Sequence, residues 1–82
     1  MRPDAIRKLL RKQPFRPFRV YVSDGAIYDV AHPEAAEVSA MMLIIEVHPA
    51  GFAGVPGERI AYISLIHVTR VEVYFPGAAP AP

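Results

Sequence analysis

The spacing of apolar residues divides the chain into a helical start and a run of strands. Over residues 3–13, Ile6, Leu9, Leu10 and Gln13 fall within an arc of about 100° on a helical wheel, while Arg7, Lys8, Arg11 and Lys12 take the other side. Pro3 suits the first helical position, Asp4 complements the helix dipole, and Pro14 ends the helix because the residue before a proline avoids the α region. Arg7/Arg11 and Lys8/Lys12 are like-charged pairs four residues apart, so this helix has to gain stability by docking its apolar stripe.

From Phe18 the period changes to two. Phe18, Val20 and Val22 alternate with Arg19, Tyr21 and Ser23, predicting a half-buried strand. Asp24-Gly25 signals a hairpin, because the turn requires a positive φ that glycine adopts without strain. Ala26–Val30 returns as the second strand, His32-Pro33 breaks it, and Glu34–Glu37 reads as a short exposed crossing. Val38–Val47 predicts one long third strand, Pro49–Gly57 a mobile loop, and Arg59–Ser64 a fourth strand. Leu65–Val68 is too apolar for an open loop and reads as a tight helical turn. Thr69–Phe75 alternates again as a fifth strand, and Gly77–Pro82 reads as a disordered proline-alanine tail.

The expected architecture is therefore mainly β with one N-terminal α-helix: a five-stranded, strongly bent small barrel of the SH3-like or Sm-like kind. A single domain spans residues 1–76, with the helix at 3–13 and the barrel at 17–75. Eighty-two residues leave no room for a second core. With no cysteine, disulfides, thiol catalysis and zinc ribbons are excluded, and subunit contacts become the expected supplement to a small core. No run free of charge, proline and glycine, Val38–Ile45 among them, approaches the ~20 residues of a membrane helix. The charged N-terminus lacks the apolar stretch of a signal peptide, so the expectation is a cytoplasmic protein with no membrane partner.

Charge changes the picture more than composition does. Residues 1–19 carry seven basic groups against Asp4 alone, a net of +6, whereas residues 20–82 carry Arg59 and Arg70 against seven carboxylates, a net of −5. A basic arm thus precedes an acidic body. Either the arm is a surface for phosphates, with Arg7, Lys8, Arg11, Lys12, Arg16 and Arg19 as the contacts, or it is neutralised against its own body or a neighbour's.

The order helix, hairpin, long strand, loop, strand, tight turn and strand resembles the Sm-like family, and its Hfq branch in particular. Pro17-Phe18-Arg19-Val20-Tyr21-Val22-Ser23-Asp24-Gly25 is similar to that family's Pro-Val-x-Ile-Tyr-Leu-x-Asn-Gly strand and turn, likewise preceded by a basic Leu-Arg-Lys helix. Tyr62-Ile63-Ser64-Leu65-Ile66 resembles its Tyr-Lys-His-Ala-Ile segment, although the RNA-contacting Lys-His pair is Ile63-Ser64 here and the Gln-Phe pair before the third strand is absent. The chain also resembles small bacterial proteins of no established activity that carry Leu-Arg-x-x-Pro-Phe-x-Pro-Phe, Val-Ser-Asp-Gly, His-Pro-Glu and Ser-Leu-x-His-Val. The Sm-like resemblance implies RNA binding and a homo-oligomer, possibly a ring, closed by pairing the fourth strand of one copy with the fifth of the next. Tyr62, Val71 and Val73 are then the interface residues.

Catalysis and cofactors are not expected. His32-Pro33-Glu34, with His48 and His67, offers imidazoles and a carboxylate for a base or a metal site, but the histidines are scattered, and a strand-ending turn explains His32-Pro33. Tyr21, Tyr28, Tyr62 and Tyr74 suit either base stacking or packing across a sheet. The rival to polyanion binding is a protein-interaction module that docks a partner on its sheet edge or on the basic helix.

Overall fold

The computed structural model describes residues 1–47 and 53–75. The order of elements is α1 (Pro3–Arg11), β1 (Phe18–Val22), β2 (Ile27–Val30), a 3₁₀ turn (Pro33–Ala35), β3 (Ala36–Val38), β4 (Met42–Val47), β5 (Arg59–Ser64), a second 3₁₀ turn (Leu65–His67) and β6 (Val68–Val73). Two antiparallel three-stranded sheets result: sheet 1 in the order β2-β1-β6 and sheet 2 in the order β3-β4-β5.

The expected five-stranded barrel is therefore corrected. Six strands form two separate sheets, and no closed barrel is present among the described residues. Two local causes account for this. The single strand expected over Val38–Val47 folds back on itself, so that Val38 pairs with Leu43 and Ala36 with Ile45. Ser39 makes that turn: its N–H donates to the Met42 carbonyl at 2.9 Å, and its hydroxyl receives the Met42 N–H at 3.2 Å. At the other break, Pro33 has no N–H to offer a ladder, and the Ala35 N–H closes a 3₁₀ turn on the His32 carbonyl at 3.1 Å. Among the described residues β2 then pairs only with β1, and β3 only with β4. The exposed crossing expected at Glu34–Glu37 becomes partly strand, with Ala36 buried in the core.

Other elements fall close to their expected places. β1 and β5 match, β6 starts at Val68, and the helix stops two residues early because Lys12 is already extended ahead of Pro14. The tight turn after β5 is the second 3₁₀ turn. The expected tail 77–82 lies outside the described residues, as does part of the expected loop 49–57. No helix among the described residues is long and apolar enough to cross a membrane.

The core lies between the sheets and under α1. Ile6, Phe18, Val20, Val30, Leu43 and Ile45 are fully enclosed, with Ile63, Leu65 and Val68 beside them. Alternation on the strands supplies this: cross-strand partners Val20 and Tyr28 turn inward while Arg19 and Asp29 turn outward. On sheet 2, Leu43, Ile45 and Ile63 face in, while Ile44 and its partner Tyr62 face out.

Candidate polyanion-binding surface

Helix α1 is held by its apolar stripe: Ile6 is 0% exposed, Leu9 and Leu10 are half-buried, and the helix lies against β3. The opposite face presents the cations. Lys8, Arg11 and Lys12 are exposed and have no acidic partner within ion-pair distance among the described residues. Arg7 is half-buried and donates to the Asp4 carboxylate at 2.9 Å, an i,i+3 pair on the helix surface. Asp4 therefore neutralises only the start of the helix.

Arg16 and Arg19 stand apart from that face. The Arg16 guanidinium lies 4.6 Å from the centre of the Phe75 ring, with its buried Nε unpaired among the described residues. Arg19 sits on the outer face of sheet 1 and donates to both Asp29 oxygens, at 2.7 and 3.0 Å. That bidentate pair raises the Arg19 pKa, chiefly through the Asp29 hydrogen bond. The same hydrogen bond holds the Asp29 carboxyl below the usual carboxylate range against a smaller opposing effect of burial.

The pair extends into a network. The Tyr21 hydroxyl donates to Glu72 at 2.5 Å, Arg70 Nε donates to the other Glu72 oxygen at 3.3 Å, and the Arg70 guanidinium stacks 3.7 Å above the Tyr21 ring. The Tyr21 hydrogen bond lowers the Glu72 pKa most, with Arg70 adding to it and desolvation opposing. Arg19 is thus engaged by carboxylates of its own sheet, and the strip expected from α1 to Arg19 is not continuous. The register explains this. Ser23, Asp24 and Gly25 form a three-residue loop with Gly25 at φ +91°, and Arg19 then lies opposite Asp29 on one side and Glu72 on the other.

The expected interface residues lie on the outermost strands. β5 and β6 end their sheets, with Tyr62 68% and Ile60 50% exposed on β5, whereas Val71 and Val73 on β6 are half-buried against the core. His32 and Glu34 are exposed at the 3₁₀ turn, and His48 lies outside the described residues. Among the described residues no three histidine, aspartate or glutamate side chains converge as metal ligands. The four tyrosines divide: Tyr21 lies beneath Arg70, Tyr28 is half-buried, and Tyr62 and Tyr74 are exposed.

One cluster has no counterpart in the expectations. Ser23, Asp24, Tyr28, Tyr62, Ser64 and His67 line a cleft of about 300 Å3 between the β1–β2 loop and the end of β5. The Ser23 hydroxyl is 3.3 Å from His67 Nδ1, and the Ser23 N–H donates to the His67 carbonyl at 2.8 Å. These residues are spread over three segments, and no spacing in the chain announces their meeting.

Comparison with known proteins finds no matching family model, no similar curated protein and no similar solved structure, so the resemblance to the Sm-like family stands on the sequence motifs alone.

Proposed function

We propose that this protein is a homo-oligomeric polyanion-binding protein, with RNA as the expected ligand, whose phosphate contacts come from Lys8 and Arg11 on α1 and Lys12 at its C-cap, joined by Arg7. The observation that carries this reading is the free basic face of a helix whose other face is locked by the fully buried Ile6. Three cations without local counter-charge are drawn to a phosphate backbone, and their contacts release its counterions. Arg7 joins them because an exposed ion pair such as Arg7–Asp4 contributes little and yields readily to a phosphate.

Replacing Arg7, Lys8, Arg11 and Lys12 together with Gln leaves the apolar stripe intact and is expected to abolish binding to a single-stranded oligonucleotide. In the parent protein, four such contacts give a slope of log affinity against log salt of about −3. If the variant binds with the parent's affinity and salt slope, the helix is not the site.

Self-association fits the same molecule. β5 and β6 each end one of the two sheets, as the shorter β2 and β3 do at the opposite edges; at six residues they are the longest of these edge strands, and edges of this kind invite pairing with another chain. Tyr62, Val71 and Val73 lie along them. The exposure of Ile60 and Tyr62 on β5 favours a second reading, in which that edge binds a partner protein instead of another copy. Binding through it is insensitive to salt, which separates it from the first reading.

A further inference from the structure

The cleft beside β5 differs in chemistry from the basic helix at every point. Its lining contains one carboxylate, two phenol rings, two serine hydroxyls and an imidazole, and neither lysine nor arginine. We propose that this cleft is a binding site for an organic cation, a protonated amine or guanidinium head group, held by Asp24 and flanked by the rings of Tyr28 and Tyr62. This site makes no use of α1 and does not depend on polyanion binding.

Three observations support it. Asp24 is held at one oxygen and open at the other: its Oδ1 receives the Ala26 N–H at 2.9 Å, while its exposed second oxygen has no protein donor and its charge no ion-pair partner among the described residues. Tyr28 and Tyr62 line the same cleft as Asp24, and an alkylammonium or guanidinium group gains from an aromatic ring face and a carboxylate together. The cleft wall is also tied in place, because both the Ser23 N–H and its hydroxyl meet His67 across the gap between the hairpin and the 3₁₀ turn. A volume of about 300 Å3 holds such a head group with part of its alkyl chain.

Competing chemistries fit less well. A phosphate or carboxylate ligand would face Asp24 with no lysine or arginine to balance it. Ser23 with His67 does not make a nucleophile and base, because both are exposed and no side chain among the described residues bonds the other nitrogen of His67 to orient it.

The head group has two sources: a free polyamine, or a lysine or arginine side chain of another protein. Amide shifts of the intact protein are followed during titration with spermidine and, separately, with the blocked peptide acetyl-Gly-Lys-Gly-amide. Saturable shifts confined to Ser23, Asp24, Tyr28, Tyr62, Ser64 and His67 are the expected result. The tighter of the two probes identifies the source.

Asp24→Asn keeps the Oδ1 acceptor for Ala26 and removes the charge, so it preserves the turn and weakens binding about tenfold. Tyr62→Leu, at a side chain 68% exposed, weakens it about threefold without touching the core. Glu37→Gln removes an equal charge from an exposed site outside the cleft and leaves binding unchanged. The proposal is overturned if neither probe gives saturable shifts below about 10 mM, or if Glu37→Gln and Asp24→Asn weaken binding equally.

Discussion

Ile6 is the side chain through which α1 is attached, and Ile6→Ala measures that attachment. The residue is fully enclosed, so the substitution removes three carbon atoms from a site with no access to water. At about 0.8 kcal/mol for each, the transfer loss is about 2.4 kcal/mol, and a partly collapsed cavity adds about 1 kcal/mol more. Alanine's better helix propensity returns about 0.4 kcal/mol. The net expectation is a loss of about 3 kcal/mol. A domain of this size has roughly 4–12 kcal/mol in all, so the change is a large part of the total. Urea unfolding followed by circular dichroism gives the value, and Ile66→Ala, at a side chain 80% exposed, is the reference at close to zero. Nine residues with a like-charged i,i+4 pair, Arg7/Arg11, have no helical stability of their own, so hydrogen exchange in α1 should also rise. A loss below about 1 kcal/mol would show that the helix is not docked through Ile6, and the basic face would lose its fixed position.

Three further outcomes are expected. Gly25→Val lowers stability by about 2 kcal/mol because φ is +91°, whereas Gly25→Asn costs much less; nothing lies within 4 Å of an added Cβ, so equal losses in thermal melts would refute the backbone argument. The lowered pKa values of Asp29 and Glu72 mean that their contribution is present above their unfolded values near 4 and lost as pH falls through the lower folded values. Urea midpoints between pH 6 and 2 should therefore fall less steeply in Asp29→Asn than in the parent, and parallel curves would remove the Arg19–Asp29 pair from the account. Val73→Pro on β6 should convert any multimer seen by light scattering at micromolar concentration into monomer, because proline removes an N–H donor and disrupts the strand. A multimer that survives it does not use this edge.

The parts of the fold that could be read from the chain are those with a strong local cause. Alternation placed β1 and β6, Pro3 and Pro14 bracketed the helix, and Asp24-Gly25 marked the hairpin. The turn at Ser39-Ala40-Met41 escaped notice because it holds no glycine, proline, asparagine or aspartate; its only signal is one serine hydroxyl inside an apolar run. The exposure of the α1 cations could be read from the chain because it is a property of one helix. The partner of Arg19 could not, because it depends on register: a hairpin loop of three residues puts Asp29 opposite it, and a loop of two would not. The cleft around Asp24 was invisible for the same kind of reason, since it exists only once β5 and the second 3₁₀ turn are brought beside the first hairpin.

The network on sheet 1 gives the molecule two unlike sides. Asp29, Arg19, Glu72, Tyr21 and Arg70 satisfy one another across the outer face of the sheet, so their groups are matched before anything approaches. A neighbour stacking on that side would strip water from four charges and offer nothing better in return. The outer side of sheet 2 carries Ile44, Ile60 and Tyr62, with Glu37 and Glu46 as the charges among them, and has no such resistance. Crowded together, these molecules have one flank that repels dry contact and one that permits it. The orientation of any encounter is thereby biased before a single specific contact has formed.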